Sequence, residues 1–224
     1  MNTYELKSDI RRKVTIYLAL ISFFLGYLLY LLSDSIYVAI AARFPNIEQF
    51  FSTWFFLGVL PSQITVVTVY SVLHYLFNKY LWRCACINKR LNVPDLNGVW
   101  EGCLESSHIK DGAYVKIKME LTIEQTWREM KCTSIFPSSK SYSDIVCIDS
   151  SGSQGTLLKF TYINHSEDLV SGLPQFAGYN ELRLNDANTL EGTYYTRRTP
   201  MTRGTIKLIR RTAKNEINQP TNAI

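Results

Sequence analysis

Histidine is scarce in this chain, and the three present, His74, His108 and His165, are far apart. No His/Cys group has metal-ligand spacing, no glycine-rich phosphate loop opens a helix, and no nucleophile elbow occurs. These gaps remove the usual signatures of metal, phosphoryl-transfer and acyl-transfer catalysis and point away from an enzyme. Cysteine is also sparse and odd in number: Cys84, Cys86, Cys103, Cys132 and Cys147. The spacings fit no disulfide framework, and the Cys84-x-Cys86 pair has no second pair to complete a zinc knuckle. The expectation is reduced thiols, no metal and no cofactor. A juxtamembrane lipid on Cys84 or Cys86 would need a eukaryotic host.

Charge is missing in one region and balanced in another. Val14–Leu32 is uncharged over nineteen residues, and Phe50–Phe77 is uncharged over twenty-eight, with Pro61 inside it. A nineteen-residue helix rises about 28 Å, close to the ~30 Å hydrocarbon thickness of a bilayer. The longer segment must tilt, kink at Pro61 or begin in the interface. Two transmembrane helices, about 14–32 and 50–77, are therefore expected within an anchor spanning 1–90. A cleaved signal peptide fits less well, because the first apolar run is too long and Ala39-Ile40-Ala41 lies well past its end. Lys7, Arg11, Arg12 and Lys13 precede the first helix, and Lys79, Arg83, Lys89 and Arg90 follow the second. The connecting loop carries only Arg43. Both termini are thus expected in the cytoplasm. Ser62, Gln63, Thr65, Thr68, Ser71 and His74 give the second helix small and polar side chains. They suit it to pack on the first helix or on another protomer.

From Asp95 to Thr212 the chain has fourteen Lys/Arg and fourteen Asp/Glu, so the net charge of +5 belongs to the membrane portion. A soluble part of zero net charge lacks the basic face that a DNA or RNA polymer requires. Here the hydropathy period becomes two: Val115, Ile117, Met119, Leu121 and Ile123 alternate with Lys116, Lys118, Glu120, Thr122 and Glu124. That is a half-buried strand. Similar runs are 98–106, 129–136, 142–149, 156–164, 179–184, 190–198 and 205–210, separated by turn residues. Eight strands with short connections and no amphipathic helix predict an eight-stranded antiparallel up-and-down β-barrel over 95–212, since closure removes exposed edges. Residues 213–224 are polar and read as a disordered tail.

Such a barrel can enclose side chains or one small ligand. Leu158, Phe160, Tyr162 and Asn164 share one strand face. Leu190, Gly192, Tyr194, Thr196 and Arg198 share another. Both lists begin apolar and end polar, which predicts a packed bottom and a polar mouth. Tyr162 and Tyr194 are either core aromatics or stacking surfaces. Asn164 and Arg198 are either rim residues or ligand contacts, because burial without a partner is costly.

The motifs Leu96-x-Gly98-x-Trp100-x-Gly102, Leu158-x-Phe160-x-Tyr162-x-Asn164, Phe176-Ala177-Gly178-Tyr179-Asn180-Glu181-Leu182, Leu190-x-Gly192-x-Tyr194-Tyr195-Thr196-x-Arg198 and Arg203-Gly204-x-Ile206-x-Leu208 follow a two-helix anchor. In that order they resemble the transmembrane β-barrel effectors of bacterial CBASS anti-phage systems, the CD-NTase-associated protein 15 type. The resemblance spans nearly the whole chain. It implies a multi-pass protein of the bacterial inner membrane whose barrel binds a cyclic dinucleotide made by a partner nucleotidyltransferase. Ligand-induced homo-oligomers would then disrupt the membrane, giving abortive infection. Tyr162, Asn164, Asn180, Tyr194, Thr196, Arg198 and Arg203 are the expected ligand contacts. The alternative is a membrane-tethered, lipocalin-like barrel that binds an apolar ligand or serves as an interaction module.

Overall fold

The computed structural model describes residues 2–6, 9–32, 43, 61–110, 112–150, 155–166 and 175–211. The chain divides into two compact units: Asp9–Cys84, which is helical, and Met1–Ser8 together with Ala85–Ile224, which contains the barrel. The amino-terminal residues therefore group with the barrel and not with the helices that follow them.

In the helical unit, α1 spans Ile10–Leu31 and α2 spans Pro61–Lys79. Pro61 is tolerated at the first position of α2 because its missing N–H would have no intrahelical partner there. Val14, Leu18, Ser22 and Gly26 are buried, a stripe at four-residue spacing on one face of α1. The close approach is at Gly26, where a Cβ would lie 2.6 Å from Val66 Cγ2 and 3.2 Å from Val66 Cα. Ser22 is satisfied within its own helix, donating to the Leu18 carbonyl at 2.6 Å. A small-residue packing face lies on α1, and Thr68 and Ser71 of α2 are exposed. Ser71 donates back to the Val67 carbonyl at 2.8 Å. The side chains of Ser62, Gln63 and Thr65 lie outside the described residues. The remainder of α1 exposes Tyr17, Leu20, Phe23, Phe24 and Tyr27.

Among the described residues, α1 is the one helix long and apolar enough to cross a membrane. The second span expected over 50–77 does not meet the same test. Its described part is α2, interrupted by polar side chains, and residues 50–60 lie outside the described residues.

A 3-10 turn, Leu81–Arg83, and a short helix α3, Ala85–Leu91, lead to the barrel. Among the described residues its wall has ten strands: β1 (Asn2–Thr3), β2 (Glu5–Leu6), β3 (Gly98–Lys110), β4 (Ala113–Gln125), β5 (Glu129–Phe136), β6 (Ser139–Asp149), β7 (Thr156–Ser166), β8 (Phe176–Asp186), β9 (Thr189–Arg197) and β10 (Arg203–Arg210). Strands β3 to β10 form the expected up-and-down antiparallel meander. It closes where β10 pairs with β3, from Gly204↔Ser106 to Arg210↔Trp100. The two amino-terminal strands are an addition. β5 and β6 pair only at Thr133↔Tyr142 through Phe136↔Ser139. Below that they part, and the amino terminus fills the gap. β1 runs antiparallel on β5, with Asn2↔Met130 and Thr3↔Glu129; β2 runs parallel to β6, with Glu5↔Cys147 and Leu6↔Ile148.

Two glycines let the wall coil tightly. A Cβ on Gly102 would strike the Lys207 carbonyl oxygen across the β3–β10 closure, and one on Gly192 would strike that of Glu181 on β8. The base of the interior is solid: Trp100, Leu121, Ile123, Met130, Ile148, Leu158, Leu182, Leu190 and Leu208 are all fully buried. Trp100 donates its indole N–H to the Leu96 carbonyl at 3.0 Å, and the Arg210 guanidinium lies over its ring at 4.6 Å. Burial lowers the pKa of that guanidinium from its ordinary value, an effect the nearby Asp95 opposes. Arg210 also donates to the Asp95 carbonyl. Gln125 ties this end together. Its side-chain oxygen accepts the Leu96 N–H at 2.9 Å, its amide donates to the Pro94 carbonyl at 3.2 Å, and its backbone N–H donates to Asn97 Oδ1 at 2.7 Å.

Gln125→Leu fills similar volume but leaves the buried Leu96 N–H and Pro94 carbonyl without partners. It is expected to destabilise the barrel by about 1–3 kcal/mol per orphaned group, read as a lowered urea midpoint in the detergent-solubilised chain. An unchanged midpoint would mean that the base is held by apolar packing alone.

Candidate ligand-binding site at the barrel mouth

Four pairs of strand ends lie together at one end of the barrel: Lys110 and Ala113, Phe136 and Ser139, Ser166 and Phe176, and Arg197 and Arg203. This end is the mouth; the opposite end is the Trp100 base. Strand alternation sends every second residue inward. Inward residues are apolar near the base and polar towards the mouth. Ser106, Ser134, Ser141, Asn164, Asn180 and Thr196 are all buried in the mouth half, with Tyr162 and Tyr194 among them.

The two tyrosine rings occupy space that glycines leave. Tyr162 pairs with Gly178 across β7 and β8, and a Cβ on Gly178 would collide with the Tyr162 ring and hydroxyl. Tyr194 pairs with Gly204 across β9 and β10, and a Cβ there would lie 2.8 Å from Tyr194 Cε1. Each ring thus covers a glycine of the next strand, an arrangement that orients the aromatic and protects the glycine backbone. Burial raises the pKa of the Tyr162 phenol well above its ordinary value. Tyr194 adds to the shift and Arg198 opposes it. Tyr162 is therefore neutral at physiological pH, able both to donate and to accept a hydrogen bond.

Some polar groups are satisfied within the fold. Asn164 donates to Ser141 Oγ at 2.8 Å and to Ser139 Oγ at 3.3 Å. The Thr196 and Thr202 hydroxyls lie 2.9 Å apart, and the Thr196 N–H donates to the Thr202 carbonyl at 2.9 Å. These contacts pin the ends of the β9–β10 turn that carries Arg198. Other groups are left over. Ser134 Oγ is buried and has no hydrogen-bond partner among the described residues. The Asn180 side chain is 3% exposed, and no hydrogen bond is made by its amide among the described residues. An orphaned buried polar group costs about 1–3 kcal/mol, so Ser134 marks a point in this wall that is able to meet something polar.

Of the seven residues anticipated from the sequence, Tyr162, Asn164, Asn180, Tyr194 and Thr196 come together inside the mouth half. Arg198 lies at the rim, exposed, with its guanidinium 5.3 Å from the centroid of the Phe176 ring. Arg203 is apart. It pairs with Tyr195 on the outward row of β10, where Gly204, Ile206 and Leu208 take the other face. It lines an open surface concavity of about 680 Å³ with Tyr195, Tyr114 and Met201. Ser106, Ser134, Ser141 and Thr202 were not anticipated. Ser134 could have been found by continuing the alternation from Met130 and Cys132.

A closed barrel with a filled base and a polar, partly unpaired mouth has the form of a small-molecule receptor domain. Residues 91–210 match the family model described as Cap15, cyclic dinucleotide receptor domain. The chain is 26% identical over 205 residues to CD-NTase-associated protein 15 of Yersinia aleksiciae, covering 89% of this chain and 92% of that protein. It is 28% identical over 150 residues to CD-NTase-associated protein 15 of Escherichia albertii, covering 64% and 76%. The chain belongs to the Cap15 family.

Gly178→Val should displace the Tyr162 ring and destabilise the barrel by about 1–3 kcal/mol, the usual cost of overpacking. Tyr162→Phe keeps the ring over Gly178 and should stay within about 1 kcal/mol of wild type. Denaturation of the two variants side by side checks this; equal midpoints would mean that the ring moves aside freely.

Proposed function

We propose that the barrel binds a cyclic dinucleotide at its mouth, and that the chain is a membrane-bound effector of CBASS anti-phage defence. Binding would bring several copies together, and the assembled membrane segments would disrupt the inner membrane and abort infection. The observation that carries the ligand reading is the unpaired Asn180 amide beside Tyr162 and Tyr194, within the receptor domain shared with the family. A cyclic dinucleotide presents two bases and two phosphates. An asparagine amide can pair with a base edge through both its donor and its acceptor. Tyrosine rings offer flat surfaces for stacking, and Arg198 supplies a cation for a phosphate at the rim. The filled base supports this reading over an apolar ligand, because the apolar half of the interior is already occupied and the mouth half is polar.

The chain has the apolar helix such an effector requires. The topology proposed is two crossings, α1 and residues 50–77, with both termini in the cytoplasm. It rests on the basic residues flanking α1 and following α2. A reporter fused after Ile224 should be active only on the cytoplasmic side. Periplasmic activity would overturn this orientation and the access it gives to a cytosolic ligand.

Titration calorimetry of the solubilised chain against cyclic dinucleotides and fatty acids tests the ligand. A cyclic dinucleotide should bind and fatty acids should not. Arg198→Ala should weaken binding by about 1.5–3 kcal/mol, the range for a hydrogen bond to a charged group. Asn180→Leu should weaken it by about 1–3 kcal/mol. Binding of fatty acid alone would replace this reading with the lipocalin-like one.

A further inference from the structure

The wall of the barrel has a seam. Between β5 and β6 the ladder holds four residue pairs and then stops. At the point of parting, the Cys132 N–H is met by Ser143 Oγ at 2.9 Å in place of a backbone carbonyl, and β6 bulges between Ser143 and Val146. Below, the backbone of β5 at 129–130 and of β6 at 147–148 would be two bare edges without residues 2–6. Bare edges are templates for another strand.

The strand seated there is short and held by few contacts. It has two register pairs on each side and one more backbone bond, from the Tyr4 N–H to the Arg128 carbonyl at 3.4 Å. Its anchors are two alternate side chains, Tyr4 and Leu6, at 1% and 7% exposure. Strands this small belong to the least stable parts of a fold and open most readily. Only Lys7, Ser8 and Asp9 separate Leu6 from α1. The residues matching the family's receptor domain begin at 91, so this strand lies outside that domain.

We propose that residues 2–6 are an exchangeable strand, and that in assembled protein they seat in the β5–β6 seam of a second copy of this chain. Donor and acceptor are both present in every copy, so exchange recreates the same backbone pairs and the same Tyr4 and Leu6 contacts. Copies confined to one membrane by α1 meet at high effective concentration, which favours exchange without any new contact. The donor strand and the acceptor seam are different surfaces. One-way exchange is therefore heterologous and propagates into rings or open arrays, whereas reciprocal exchange closes as a dimer. The proposal extends the assembly step of the functional reading but does not need the ligand.

Glu5 and Cys147 are register partners on adjacent strands, and neither side chain is buried. Neighbouring strands lie about 4.8 Å apart, within the Cα separation that a disulfide spans. The test uses the full chain carrying Glu5→Cys with Cys84→Ser and Cys86→Ser. Two differently tagged populations are reconstituted together in lipid vesicles at low and high protein density and oxidised. At low density the disulfide should form within one chain. At high density the fraction joining the two tags should rise at least several-fold. Adding Tyr4→Ala and Leu6→Ala should remove both products. Disulfides confined to single chains at every density would overturn the proposal, and so would the absence of any disulfide. A cyclic dinucleotide arm reports separately. If calorimetry shows no ligand binding while inter-tag disulfides still rise with density, the ligand reading fails and the exchange stands.

Discussion

Everything in the barrel depends on closure of the ladder between the last strand and the third. β10 meets β3 over seven register pairs, Gly204↔Ser106 to Arg210↔Trp100. A sheet that closes has no edge there to protect, and its interior becomes a volume that must be filled or wetted. Closure demands tight coiling, and Gly102 permits it because any side chain would meet the Lys207 carbonyl. The same pairing sets Trp100 beside Arg210, so the residue that completes the cylinder also covers its floor. Fold and floor come from one set of contacts.

The interior then separates by depth. Leucines, isoleucines and a tryptophan fill the lower half, where dispersion and exclusion of water favour apolar side chains. Higher up, serines, asparagines and a threonine replace them along the same strand faces. Some of these are satisfied by each other, as Asn164 is by Ser141. Ser134, whose buried hydroxyl has no hydrogen-bond partner among the described residues, shares the mouth half with Asn180 and with two tyrosines whose rings are set by neighbouring glycines. On the proposed reading such a mouth needs no charged cluster: specificity would lie in the polar groups that pair with the ligand.

Much of this is legible in the chain because a two-residue period is a strong signal over eight to thirteen residues. The run from Val115 to Ile123 announces β4, and the alternation over Glu129–Phe136 gives β5 its bounds. The gradient from Leu158 to Asn164 carries the polarity of the mouth in the order of the residues alone. Three features are not legible, for different reasons. β1 and β2 have two residues each, too few to carry a period, and their charged surroundings suggest a membrane flank. Arg203 attracts attention as a cation, but the inward parity of Gly204, Ile206 and Leu208 places it outside. The stripe of Val14, Leu18, Ser22 and Gly26 is hidden in a segment apolar on every side. There only packing, and not hydropathy, distinguishes one face from another.

The floor beneath the mouth has a kinetic consequence. Trp100, capped by Arg210 and bound to the Leu96 carbonyl, fills the lower end, so on the proposed reading a ligand would arrive and leave by the mouth. In a vessel with a single opening, obstruction at the rim hinders arrival and departure through the same transition state. A bulkier neighbour beside Phe176 and Arg198 that touches no ligand would slow both rates in proportion and leave the equilibrium where it was. On the proposed reading, bulk at the rim that makes no ligand contact would set how long a bound ligand stays, whereas the contacts, Arg198 among them, would set how strongly it is held.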